Sequence, residues 1–106
     1  MDVKNKIVIV TGAGSGIGKA TSIHLANQGA TVVVSDMNIE SAEKVVSEIT
    51  ANGGVASANK CNVVNFEEVA KLIHSTVQKY DRLDVIVNNA GIGPNLLRTH
   101  ESSLKD

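Results

Sequence analysis

The sequence predicts an α/β domain in which a parallel sheet is doubly wound, with helices on both faces. Two observations carry that expectation. Short runs of Val and Ile alternate with stretches whose apolar residues recur at helical spacing, which is the pattern of strand–helix–strand units. The first run, Ile-Val-Ile-Val at residues 7–10, empties into the turn Thr11-Gly12-Ala13-Gly14-Ser15-Gly16-Ile17-Gly18 and then into a helical pattern. At 106 residues and 42% hydrophobic, the chain holds one domain at most, with enough apolar material for a core.

Each element has its own warrant. Lys6 to Thr11 is the first strand, its unbroken Val/Ile run typical of a strand buried on both faces. A helix follows from about Gly16 to Gln28, with Ile17, Ala20, Thr21, His24 and Leu25 on one stripe and Gly29 past its end. Thr31 to Ser35 is a β-branched second strand ending at Asp36. Asn38 caps a second helix, in which Ile39, Ala42, Val45, Val46 and Ile49 recur until Gly53-Gly54 stops it. Val55 to Ala58 is a third strand, small and polar. Asn65 with Glu68 resembles a capping box, and Val69, Leu72, Ile73 and Val77 line the third helix. Asp84 to Asn88 is the fourth strand. A loop with Gly91, Gly93 and Pro94 follows, then the first turn of a helix near Ser102 or Ser103.

Right-handed crossovers between such strands give the spatial order three-two-one-four. Ligands then sit at the carboxyl ends of the strands, where the order switches between strands one and four. Both glycine-rich turns fall there. Glycine lets the backbone turn tightly and approach a ligand that a Cβ would hold off. The helix opening at Gly16 has unpaired N–H groups and a positive dipole end, which together favour an anion such as a diphosphate.

Composition narrows the alternatives. A net charge of −1 with both signs dispersed gives no electrostatic case for nucleic acid or an anionic membrane. Phe66 and Tyr80 are the only aromatics, too few for a base-stacking platform. No apolar run is long enough to span a bilayer, and the start leaves no room for a signal peptide. Cys61 is alone, which excludes an internal disulfide and suits a reducing cytoplasm. His24, His74 and His100 are scattered and form no metal pattern. Lys19 is either a phosphate contact or a solvated lysine.

The general dinucleotide fingerprint Gly-x-Gly-x-x-Gly is not met, because Ile17 and Lys19 fall where its last glycine should be. The phosphate-loop pattern fails too, since Gly18-Lys19 is followed by Ala20. What fits is Thr-Gly-x-x-x-Gly-x-Gly, carried by Thr11, Gly12, Gly16 and Gly18. This segment resembles the cofactor-binding turn of the short-chain dehydrogenase/reductase family. Asn88-Asn89-Ala90-Gly91 resembles that family's NNAG segment, which supports the sheet and lines the adenosine side of the site.

The resemblance implies a Rossmann-type fold and a nicotinamide dinucleotide held by Gly12, Ser15, Gly16, Ile17 and Gly18, with Ile17 toward the nicotinamide. It implies that Asp36 takes the adenosine ribose hydroxyls and repels a 2′-phosphate, with uncharged Met37 beside it, so that NAD is preferred over NADP. It implies adenine against Cys61, Asn62 and Val63, with Asn89, Ala90 and Gly91 closing the adenosine side. The family usually has Asp-Val where this chain has Asn62-Val63, so the acceptor here lacks charge assistance.

The resemblance also implies a catalytic Ser and a Tyr-x-x-x-Lys, in which a cation lowers the tyrosine pKa. The only tyrosine, Tyr80, has Asp84 four residues on, so no residue here matches. The chain therefore reads as an amino-terminal, cofactor-binding portion, an incomplete sheet of about four strands and three helices, inactive alone. Two functions follow from it. One is an NAD-dependent oxidoreductase acting on a small alcohol or ketone in the complete enzyme. The other is a non-catalytic NAD-binding or interaction module. Strand four is expected to expose an edge that pairs with another chain or self-associates.

Overall fold

The computed structural model describes residues 2–89. In chain order it runs β1 (Ile7–Val10), α1 (Gly16–Asn27), β2 (Thr31–Asp36), α2 (Ile39–Ala51), β3 (Val55–Lys60), α3 (Phe66–Tyr80) and β4 (Val85–Val87). The strands are parallel in the order β3-β2-β1-β4, as expected for a doubly wound sheet. Ala90, Gly91, the loop with Gly93 and Pro94, and the turn expected near Ser102 lie outside the described residues.

Register places Val8 opposite Val32 and Val85, and Val10 opposite Val34 and Val87. Strand side chains alternate between faces, so these residues meet α1 and α2 while their neighbours meet α3. On the first face Val8, Val10, Val32 and Val34 pack with Ala26, Ala42, Val45 and Ile49. On the second, Ile9 and Val33 pack with Leu72 of α3 and with Cys61, and Ile86 joins them. α3 is the only described helix on that face.

β3 extends to Lys60, two residues beyond the expected Ala58, because its whole length pairs in register with Thr31–Asp36 of β2. β4 is shorter than expected at three residues. The stripe expected on α1 holds only in part: Leu25 packs against the core and Thr21 is half-buried. Gly18, Ser22 and Ala26 are its buried residues, whereas Ile17, Ala20 and His24 are exposed. Small residues let the helix approach the sheet closely, and an apolar pattern cannot reveal a face built on Gly and Ser.

Candidate functional site

The carboxyl ends of β1, β2 and β3 and the starts of α1, α2 and α3 converge on one rim. β1 leaves the sheet through Thr11, whose N–H donates to Val87 O at 3.0 Å. Its hydroxyl accepts from Asn89 N–H at 2.9 Å and donates to Asn88 Oδ1 at 3.0 Å. The glycine turn is thereby fastened to the end of β4. Ala13 N–H donates to Ser35 O at 2.9 Å, fastening the same turn to β2.

Gly12 and Gly16 have φ of 60° and 58°, a region that most side chains disfavour and glycine adopts without strain. A Cβ on Gly16 would meet nothing within 4 Å, which leaves open space over the start of α1. A Cβ on Gly18 would lie 2.2 Å from Gly12 O and 2.7 Å from Asn89 Nδ2. Gly18 is therefore where the helix packs directly on the turn. Ser15 is extended, its hydroxyl caps nothing, and α1 has no acidic residue in its first turn. The first N–H groups of α1 thus face the open space with their positive dipole end uncompensated. Lys19 pairs with Glu48 of α2 at 3.2 Å, and both side chains are exposed.

Beside this turn lies a cleft of about 350 Å³ lined by Gly12, Asp36, Met37, Cys61, Asn62, Val63 and Val64. Six of these seven were singled out from the sequence. Val64 was missed, although it continues the same loop. Asp36 takes backbone N–H groups on both oxygens, from Gly14 at 2.8 Å and Asn38 at 2.9 Å. Asn62 Oδ1 accepts from Val64 N–H at 3.2 Å, a local turn that occupies one of its two lone pairs. Cys61 is buried, and burial, with the negative charge of Glu68 adding to it, pushes its thiol above the usual range. Such a thiol packs as a small apolar wall and is a poor nucleophile. Met37 and Ile17 are exposed apolar side chains at the rim.

Tyr80 lies elsewhere. It ends α3, and its hydroxyl shares a hydrogen bond with Ser57 Oγ of β3 at 3.0 Å. Asp84, four residues on, accepts from Ile7 N–H and pairs with Arg82 at the amino end of the sheet. No group of three His, Cys, Asp or Glu among the described residues could hold a metal ion. No described helix is long and apolar enough to cross a membrane.

The chain matches the short chain dehydrogenase family over residues 6–106. It belongs to that family. Cyclohexanol dehydrogenase of Acinetobacter sp. strain SE19 is 48% identical over 101 residues, which are 95% of this chain and 40% of that protein. A 7α-hydroxysteroid dehydrogenase solved with NADH and 7-oxo glycochenodeoxycholic acid superposes with a TM-score of 0.79 at 42% identity, covering 81% of this chain and 34% of that one. A metagenomic short-chain oxidoreductase in complex with NADP superposes with a TM-score of 0.82 at 34% identity, covering 88% and 42%. This short-chain dehydrogenase chain thus spans about 40% of the length of the curated relatives it matches. Its relatives and structural neighbours are dehydrogenases and reductases, and those solved with a nucleotide carry NAD(H) or NADP.

Proposed function

We propose that this chain forms the adenosine half of a nicotinamide-dinucleotide site in a short-chain oxidoreductase, and that it prefers NAD to NADP. One observation carries the preference. The cleft beside the glycine turn has the Asp36 carboxylate on its wall and, among the described residues, no Lys or Arg in its lining. A 2′-phosphate there would meet a negative charge with nothing to offset it, whereas ribose hydroxyls would find an acceptor.

The residues present fit such a group. Gly12, Gly16 and Gly18, with Ser15, shape an open turn over the uncapped start of α1, where a diphosphate would take the free N–H groups. Ile17 is exposed on the side where the nicotinamide would leave the turn. Met37, Cys61, Asn62 and Val63 offer a mostly apolar slot for adenine, with one lone pair of Asn62 Oδ1 free to accept from an amino group. Asn89 stands against Gly18, while the roles expected of Ala90 and Gly91 fall outside the described residues. A nicotinamide dinucleotide bound here supplies the hydride acceptor or donor for a small alcohol or ketone. The lone buried Cys61 thiol suits a reducing, cytoplasmic setting.

β4 pairs with β1 on one side, and its other edge has no partner among the described residues. We assign that edge to pairing with further protein, from this chain or a second copy. Calorimetric titration with NAD and NADP tests the NAD reading. NAD binds more tightly, and Asp36→Ala erases the difference. Equal affinities in the unaltered chain would remove the role given to Asp36.

A further inference from the structure

We propose that Gly14 is a positioning residue for cofactor specificity: its N–H holds the Asp36 carboxylate in line for a ribose diol, and its missing side chain leaves that carboxylate room. The inference deepens the NAD reading and rests on it. Gly12 and Gly16 sit at a positive φ that glycine adopts without strain, but Gly14 is not among the residues in that region. Its backbone conformation does not call for glycine, so the reason lies in space.

That space is filled by two neighbours. A Cβ on Gly14 would lie 2.9 Å from Asp36 Oδ2, 3.0 Å from Asp36 Cγ and 2.7 Å from Ser41 Cβ. Ser41 sits in the first turn of α2, where its N–H is held by the Asn38 cap at 3.1 Å, so it yields little. The carboxylate is the freer partner and would swing away. In doing so it would lose the 2.8 Å bond from Gly14 N–H.

That bond is one half of a clamp, since Asn38 N–H holds the other oxygen at 2.9 Å. With both oxygens pinned, the carboxylate cannot rotate. An ionised carboxylate offers about four lone-pair positions. The two left over keep a fixed direction, which is what binding adjacent hydroxyls together requires. The glycine turn and the ribose acceptor are therefore one unit, joined through a main-chain amide.

The test is a double-mutant cycle between Gly14→Ala and Asp36→Ala in a Ser41→Gly background, which removes the other contact. With Asp36 present, Gly14→Ala lowers NAD affinity by about tenfold, the loss of one well-aligned hydrogen bond to a charged group, and NADP affinity by no more than about twofold. With Asp36→Ala in place, Gly14→Ala changes NAD affinity by no more than about twofold. A readout without ligand accompanies it: the amide of residue 14 exchanges with solvent about tenfold faster in Asp36→Ala than in the unaltered chain. Additive losses, equal losses for both nucleotides or an unchanged exchange rate would overturn the inference while leaving NAD binding intact. A parent chain that binds neither nucleotide overturns the function reading, and this inference with it.

Discussion

The two ends of the sheet treat their polar groups in opposite ways. At the amino end, Asp84 accepts from Ile7 N–H at 2.8 Å and is paired with Arg82, while Asn5, Thr31 and Asp84 N–H groups all find backbone oxygens. At the carboxyl end, α2 and α3 are also closed, by Asn38 on Ser41 N–H and Asn65 on Glu68 N–H, both at 3.1 Å. Among the described helices, the start of α1 alone has no side-chain cap. Its Ser15 is a residue type that commonly caps helices, yet its hydroxyl caps nothing. An uncapped start forgoes the roughly 1 kcal/mol that a side-chain cap contributes. The concentration of open donors in one turn separates what the fold needs from what a ligand needs.

Gly18→Ala should break this division most severely, because Gly18 belongs to both sides of it. The new Cβ meets Gly12 O at 2.2 Å and Ala13 Cα at 2.9 Å, which are backbone atoms that cannot swing aside. Alanine gains up to about 1 kcal/mol in helix propensity. Overpacking against fixed backbone costs about 1–3 kcal/mol, so strain wins. Thermal denaturation should show Tm lower by about 5 °C or more, with NAD binding lost. An unchanged Tm would mean that the turn shifts freely and is not the rigid element described above.

Ser15→Asp sharpens the comparison by moving the two properties in opposite directions. A carboxylate at that position caps α1 and complements its dipole, which adds about 0.5–1 kcal/mol and raises Tm by a few degrees. It also places negative charge on the donors assigned to the diphosphate, so NAD affinity falls by about tenfold or more. Asn65→Ala is the mirror case. Loss of a closed cap costs about 1 kcal/mol, and NAD affinity stays within about twofold. If Ser15→Asp bound NAD as well as the unaltered chain, the start of α1 would not be the anion site.

The sheet order and the three described helices were legible because the signals were local or periodic: Val/Ile runs, Asn caps, glycine stops. So was most of the cleft, since those residues all follow the carboxyl ends of strands. Sequence reasoning failed where the determinant was space. The buried face of α1 rests on Gly18, Ser22 and Ala26, which carry no apolar periodicity. Glu68, expected to complete a capping box on Asn65, instead accepts from Asn62 N–H at 2.9 Å and braces the cleft loop. The bond from Gly14 to Asp36 joins residues far apart in sequence and depends on how the turn meets α2. No spacing rule encodes that contact.

The smallest effect belongs to the closed end and serves as its control. The Arg82 guanidinium, followed by the Ile7 N–H, holds the Asp84 carboxyl below its ordinary value of 3.8. A carboxylate with a depressed folded-state pKa contributes stability that is present above its unfolded pKa and lost as pH falls through the folded one. Tm should therefore decline as pH drops below about 4, and Asp84→Asn should flatten the Asp84 share of that decline. The contribution is modest, because both partners reach solvent and an exposed pair is screened. NAD affinity at neutral pH should not respond to Asp84→Asn, since the residue lies across the sheet from the cleft. Were binding to weaken with this substitution, the two ends would be coupled, and the division between a closed structural end and an open ligand end would not hold.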